Sequence, residues 1–421
     1  MNMGYLIPEW PGQSHVWAWR EICHLRELGL NVTILSTQEP KELGKHDFTF
    51  VAHAETVYLW PISISKILLS LIWAITHNPK GFLSCIQLGL SLPVYKKPTW
   101  KSVLPLLIPA CQLAREVKRR KIRHIHTPMP GNSAVLCMMV KRLTRVPYSL
   151  TIVAAFDHWG GAMHEKIADA NFVSLVAQWM ANEMPKAFPM ISPNHYSITR
   201  HGVDTKKWIP HPNKPFNTAQ PKRILSIGRL AACKGFDVLL EATALAKSKG
   251  VSLELRIVGE GPERPRLEQL IERLNLKAEV VLLGSLGEEQ CLAEARAADL
   301  FVLASHHEPL GVVYLEAMAT EVATIGTAAG GVPEIITDGV NGLLVPPNQP
   351  EKLAHAMVQV LTNDQMREQL AKAGRRTVIE KFDSRIGAAM LRGLILQGSQ
   401  TRDVINWSEA FSELQKTSSR N

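Results

Sequence analysis

A chain of 421 residues, against the roughly 100–200 of a usual domain, predicts two or three domains with length enough for sizeable cores. An apolar content of 46% and a charged content of 20% exclude a disordered chain, a collagen-like fibre and a coiled coil. The formal net charge of +9 is concentrated in residues 1–212 while residues 213–421 are near neutral, so attraction to acidic partners belongs to the N-terminal half.

In chain order, Tyr5–Pro8 reads as a strand, Pro11–Ser14 as a loop, Val16–Leu28 as a helix closed by Gly29, and Val32–Ser36 as the next strand. The rhythm recurs at Ile122–Thr127, Tyr148–Ala154, Phe172–Ala177 and Ser197–His201, and such βαβα order predicts a parallel sheet flanked by helices. Between Val57 and Leu113 the pattern loosens into apolar helical pieces broken by prolines, which predicts an inserted helical subdomain. Core packing, an acceptor site and a membrane contact are all compatible with it. Asp204–Gln220, rich in proline and without an apolar period, reads as a linker. A second α/β series follows: strand Arg223–Ser226, helix Phe236–Lys249, strand Leu253–Val258, helix Glu263–Leu274, strand Val280–Leu283, helix Glu288–Ala297 and strand Leu300–Ala304. The expectation is an α/β chain of two Rossmann-like domains facing across a cleft, where strand C-termini and helix N-termini converge. Residues 1–212 form the N-terminal domain with the helical insertion near 57–113, and 213–385 the C-terminal one. Residues 386–421 form a helical tail that packs back on the first.

Six cysteines show neither a C-x-x-C pair nor metal-ligand spacing, and read as reduced, mostly buried thiols of a cytoplasmic protein. The opening Met1-Asn2-Met3-Gly4-Tyr5 lacks the basic segment of a secretory signal. The apolar run Ile67–Ile75 is about half of what spanning a bilayer requires. The densest basic cluster, Arg115, Lys118, Arg119, Arg120, Lys121 and Arg123, reads either as a solvated helix face or as a surface for anionic lipid or a phosphorylated substrate. A nucleic-acid partner is not expected, since no binding motif accompanies the cations.

Three glycine-containing turns carry the chemistry. Gly228-Arg229-Leu230 followed by Lys234-Gly235 lies between a strand and a helix, where glycine lets a ligand approach the backbone and two cations can meet a diphosphate; an ordinary surface turn is the competing reading. Val258-Gly259-Glu260-Gly261 is a second strand-to-turn pair without a full dinucleotide fingerprint. In the third segment, His307 to Ala319, Glu308 precedes a proline suited to a first helical turn. The amides of Leu310, Gly311 and Val312 would then be free donors for an anion. Glu316 would lie about two turns on, near the same face, facing a partner such as a ribose diol. A glutamate favouring the helix dipole and a solvated second one account for the pair equally well.

These residues carry a resemblance. Glu308 and Glu316, with Gly228-Arg229 and Lys234-Gly235 upstream and Gly330-Gly331-Val332-Pro333-Glu334 and Asp338-Gly339-Val340-Asn341-Gly342 downstream, resemble glycosyltransferase family 4, a retaining family of the GT-B fold, over most of residues 220–385. The N-terminal half, through Trp10-Pro11-Gly12-Gln13-Ser14-His15 and His124-Ile125-His126, is similar to the exopolysaccharide and colanic-acid branch. The resemblance implies a hexosyltransferase that uses a nucleoside diphosphate sugar, without a metal, to build a glycan or lipid-linked glycan. It implies Glu308 at the donor sugar, Glu316 at the ribose and Arg229 and Lys234 at the diphosphate. Gly12, Gly259, Leu310, Gly311 and Val312 would also line the donor, and Ser14 and His126 the acceptor side.

The chain departs from the family at Val153 and Pro128, where histidines are usual; either Asp157 or His158 supplies the missing catalytic group or transfer proceeds without it. A nucleotide-sugar binder with weak or no transfer, or a sugar-nucleotide epimerase, is the alternative. The expected location is cytoplasmic, peripheral at the inner face of the plasma membrane, with an anionic membrane surface as a further partner.

Overall fold

The computed structural model describes residues 1–95, 99–212 and 221–398. The end of the expected linker and residues 399–421 of the expected tail lie outside the described residues. The chain divides into two compact units. One comprises Met1–Gly44, Phe48–Arg200 and the chain from Arg385; the other comprises Lys45–Asp47 and His201–Ser384.

The first unit is built on strands β1 (Asn2–Glu9), β2 (Asn31–Gln38), β3 (Val57–Tyr58), β4 (His124–Thr127), β5 (Tyr148–Ile152), β6 (Val173–Leu175) and β7 (Tyr196–Ile198). All pair in parallel, in the order β3-β2-β1-β4-β5-β6-β7. The inner strands are buried on both faces, which is why Met3, Tyr5, Leu6 and Ile7 form a nearly continuous apolar run. Val57–Tyr58 is an edge strand rather than part of the helical insertion, because its backbone pairs with Leu35 and Ser36 of β2. The insertion proper consists of helices Ile64–His77, Pro79–Ser91, Thr99–Ser102 and Leu107–Arg119. Helix Ser384–Gln397 returns to this unit, where Leu391 and Ile395 are fully buried in one cluster with Met3, Tyr5, Ile7 and Phe172.

The second unit holds β8 (Lys222–Ile227), β9 (Leu253–Val258), β10 (Val280–Gly284), β11 (Leu300–Leu303), β12 (Ala323–Thr327) and β13 (Leu343–Val345). This sheet is also parallel, in the order β10-β9-β8-β11-β12-β13. Its last two strands have no counterpart in the sequence reading. Ala323–Thr327 is interrupted by Gly326 and Leu343–Val345 has three residues, so neither shows a clear strand pattern; β12 is fixed by pairing with β11 and β13. The boundary between units falls at Arg200 and His201, ahead of residue 212, because residues 201–208 pack with the second unit. There Val203 N–H donates to Phe382 O at 3.0 Å, and buried Trp208 donates through Nε1 to Glu288 Oε1 at 3.2 Å.

None of the six cysteines is joined in a disulfide. Cys85, Cys111 and Cys137 are buried, Cys23 and Cys291 half-buried and Cys233 exposed, so only half are core thiols.

Candidate active site

In the second sheet the chain runs from β8 outward to β9 and β10, then returns to β11 on the other side of β8. Ligands of open parallel sheets settle beyond the strand C-termini at such a reversal, because the two loops leaving it diverge. Those loops are Gly228–Gly235 after β8 and Ala304–Gly311 after β11. They are joined by His306 N–H donating to Cys233 O at 2.9 Å.

The reversal brings two of the expected residues together. Lys234 Nζ donates to Glu308 Oε2 at 2.5 Å, and Ser305 Oγ donates to the same oxygen at 3.2 Å. Glu308 is buried, whereas the Lys234 side chain keeps about a fifth of its surface in contact with solvent. The loop after β12 grips the backbone of Glu308. Gly331 N–H donates to Glu308 O at 2.9 Å. Gly330 has φ +56°, and a Cβ there would lie 2.0 Å from the same carbonyl oxygen. Only glycine fits, since both the left-handed conformation and the space exclude a side chain.

Glu316 is placed differently from the sequence expectation. The helix begins at Val312, with Gly311 at its N-cap in a left-handed conformation, φ +95°, and spans Val312–Ala319. Pro309 therefore lies in the preceding bend and not in the first turn, and Glu308 is not on the helix at all. Helical periodicity does not relate Glu308 to Glu316, because the chain reverses its handedness at Gly311 between them. Glu316 is buried at the fifth helical position. The amides of Leu310, Gly311 and Val312 make no backbone hydrogen bond among the described residues, as expected of a helix start. Tyr314 ties the helix to the sheet through its hydroxyl, which donates to Leu303 O at 2.8 Å. Burial, followed by the nearby Glu308 carboxylate, pushes the Tyr314 phenol well above its ordinary pKa.

The turn after β8 packs backbone to backbone on the turn after β9. A Cβ at Gly259 would sit 1.9 Å from Gly228 O, and one at Gly261 would sit 2.3 Å from Leu230 O. Gly259 thus supports the Arg229 turn from below. Arg229 is exposed and has no ion-pair partner among the described residues. Among the described residues no three His, Cys, Asp or Glu side chains converge as a metal-binding group.

Residues 210–377, the greater part of this second unit, match the family described as glycosyl transferases group 1. The second unit is a group 1 glycosyltransferase domain. Relatives agree. The chain is 32% identical over 171 residues to the alpha-D-kanosaminyltransferase of Streptomyces kanamyceticus, covering 41% of this chain and 44% of that protein. It is also 32% identical over 198 residues to a putative colanic acid biosynthesis glycosyltransferase of Escherichia coli, covering 45% and 48%. It is 26% identical over 293 residues to the N-acetyl-alpha-D-glucosaminyl L-malate synthase of Bacillus anthracis, covering 65% and 74%. The chain spans about half the length of the first of these curated relatives. The likeness in fold runs further. The Anabaena protein HepE, solved with UDP-glucose, has a TM-score of 0.70 at 16% identity, covering 94% of this chain and 99% of HepE. A Rickettsia africae glycosyltransferase has a TM-score of 0.68 at 17% identity, covering 95% and 99%. The two parallel-sheet domains are the GT-B fold.

In the glycosyltransferase domain, sequence reasoning missed Ser305, which no motif marks, and gave Gly330 and Gly331 no part in holding Glu308. The first unit places its own candidates unevenly. Gly12 follows β1, and its N–H is engaged locally by His15 Nδ1 at 3.1 Å; Ser14 is exposed beside it. Asp157 and His158 lie exposed in the 3-10 turn Phe156–Trp159 beyond β5, and half-buried Val153 is the first residue after that strand. His126 is corrected as an acceptor-side residue. It is fully buried in β4, with Nδ1 2.9 Å from Ser149 Oγ and Nε2 3.1 Å from Thr151 Oγ1, so both ring nitrogens are spent on β5.

Proposed function

We propose that this chain is a retaining glycosyltransferase that moves a hexose from a nucleoside diphosphate sugar to a hydroxyl of a glycan or lipid-linked glycan. The observation that carries the reading is the Lys234–Glu308 pair at the sheet reversal of a group 1 glycosyltransferase domain. HepE, solved with UDP-glucose, supports a nucleotide-sugar donor, and the colanic acid relative supports polysaccharide synthesis. In such a transfer the anomeric C–O bond to the diphosphate breaks through an oxocarbenium-like state, and the diphosphate gathers negative charge as it leaves. Arg229, Lys234 and the amides around Gly311 would stabilise that charge without a metal, each worth about 2–4 kcal/mol by comparison with single oxyanion donors. Glu308 would meet the donor sugar and Glu316 the ribose. Lys234 would exchange Glu308 for the diphosphate as donor arrives, leaving the carboxylate to the sugar. A lipid-linked acceptor would bring the chain to an anionic membrane surface.

A thermal-shift panel of UDP-, GDP- and ADP-sugars, with NAD as control, tests the donor site. A ligand at 100 times its Kd adds about 2.7 kcal/mol of stability, so one nucleotide series is expected to raise the midpoint clearly. Folded protein that responds to none of them would remove the donor site and the transferase reading with it.

A further inference from the structure

We infer that the helical insertion of the first unit is a docking surface for an anionic lipid bilayer. In helix Ile64–His77 the usual placement of side chains is inverted. The buried positions are the small Ser70 and Ala74, while Ile64, Leu68, Leu69, Ile72 and Ile75 are exposed, Ile64 at 76% and Ile72 at 58%. At about 100° per residue these five form one side of the helix, opposite Ser70 and Ala74. A helix that packs on its own protein through small residues and turns its large apolar ones outward presents a surface water does not favour. The neighbouring helix Pro79–Ser91 exposes Leu83 and Leu90, two turns apart on one face. Trp60, Tyr95 and Trp100 are exposed on the flanking segments, and such amphipathic rings favour a membrane–water boundary.

Charge commits the occupant. No Asp or Glu occurs between Glu55 and Glu116, whereas Lys66, Lys80, Lys96, Lys97, Lys101 and Arg115 do. Lys96 and Lys97 lie outside the described residues; Lys66, Lys80 and Lys101 are exposed, and Lys101 Nζ is 5.3 Å from the Trp100 ring centroid. Glu165 and Asp169 adjoin the other side of helix Pro79–Ser91 at Leu88, Ser91 and Leu92, but the segment that carries the exposed apolar residues supplies only cations, which matches acyl chains beneath anionic headgroups. By contrast, Arg119 and Arg120 of the denser basic cluster further along the chain are both paired with Glu116. The contact lies in the plane of the interface. Helix Ile64–His77 has 14 residues, about 21 Å, against the ~30 Å of a hydrocarbon core. No helix among the described residues is long and apolar enough to cross a membrane. The surface stands on these observations alone, so failure of the sugar-transfer reading would leave it in place.

The test is co-sedimentation of the full chain with phosphatidylcholine vesicles, with and without phosphatidylglycerol. The full chain is expected to bind the anionic vesicles and to bind them less tightly as salt is raised. Leu68→Ser with Ile72→Ser, at exposed positions, is expected to weaken binding at least about tenfold with an unchanged thermal midpoint. Lys66→Gln, Lys80→Gln and Lys101→Gln together are expected to remove the preference for anionic over neutral lipid. Absence of binding by the wild-type chain, equal binding by the Leu68/Ile72 variant, or a retained lipid preference in the lysine variant would overturn the proposal. So would a dimer, seen by sedimentation velocity, that the Leu68/Ile72 substitutions dissolve, since the face would then belong to a second copy.

Discussion

Lys234 Nζ and Glu308 Oε2, 74 positions apart in the sequence, meet at 2.5 Å on the two loops that leave β8 and β11. The ion pair compensates the burial of the carboxylate, and Ser305 Oγ holds the same oxygen in place. A buried carboxylate fixed by a partly exposed lysine is suited to a ligand that competes for the cation.

Replacing Glu308 by Gln keeps the shape of the site and removes its charge. Turnover is expected to fall about 10²–10³-fold, with nucleotide diphosphate affinity unchanged or improved because Lys234 is released. Steady-state kinetics with calorimetric Kd values separate the two effects, and wild-type turnover would refute the assignment. Lys234→Met is expected to act on both, weakening nucleotide binding and destabilising the domain by about 1–3 kcal/mol through a stranded buried carboxylate.

Gly330→Ala tests the support behind Glu308. A methyl group at φ +56° directed at Glu308 O has to displace the loop, so a loss of about 2–4 kcal/mol is expected, together with reduced activity. Gly339→Ala has a similar backbone, φ +72°, with open space around its Cβ. It is expected to lose only about 1 kcal/mol and to retain activity. Equal losses by calorimetry would show that the contact with Glu308 contributes nothing.

His124 gives the first unit an acid-sensitive core. Burial lowers its pKa from 6.5 to about 3, and the neutral ring stacks on Phe172 with Nε2 2.7 Å from Ser149 Oγ. Below pH 6.5 the unfolded chain takes up a proton that the folded chain refuses. Stability is therefore intact above that pH and declines progressively as pH falls toward 3. Between pH 7 and pH 5 the His124 contribution is expected to be a loss of about 2 kcal/mol. Denaturant unfolding of His124→Asn should show a shallower decline over the same interval, and an unchanged decline would contradict the assignment.

Leu391 tests the return of the C-terminal helix. Fully buried among Met3, Tyr5 and Ile7, its replacement by Ala is expected to destabilise the first unit by about 2–5 kcal/mol. Hydrogen exchange should quicken in β1 and β2 and stay unchanged in β8 and β9. Uniform quickening in all four strands would argue against this placement.

The sequence by itself determined the alternation of strand and helix, the parallel sheets, and the glycine turns flanking Arg229, Lys234 and Glu308, because these follow from short-range periodicity and local conformational preference. Tertiary structure decided what depends on distant partners. Strands β12 and β13 are too short and too interrupted to stand out in the sequence, and they are set by the pairing of β12 with β11 and of Ile325 with Leu343. Glu316 lost its expected helical register with Glu308 when Gly311 turned left-handed between them, while Ser305 and Gly330 reached Glu308 only through folding. His126, expected on the acceptor side, became a core hydrogen-bonding residue once β4 lay beside β5. Periodicity along a chain records which face of an element is apolar; it does not record which carbonyl, carboxylate or methyl group another part of the chain will bring against it.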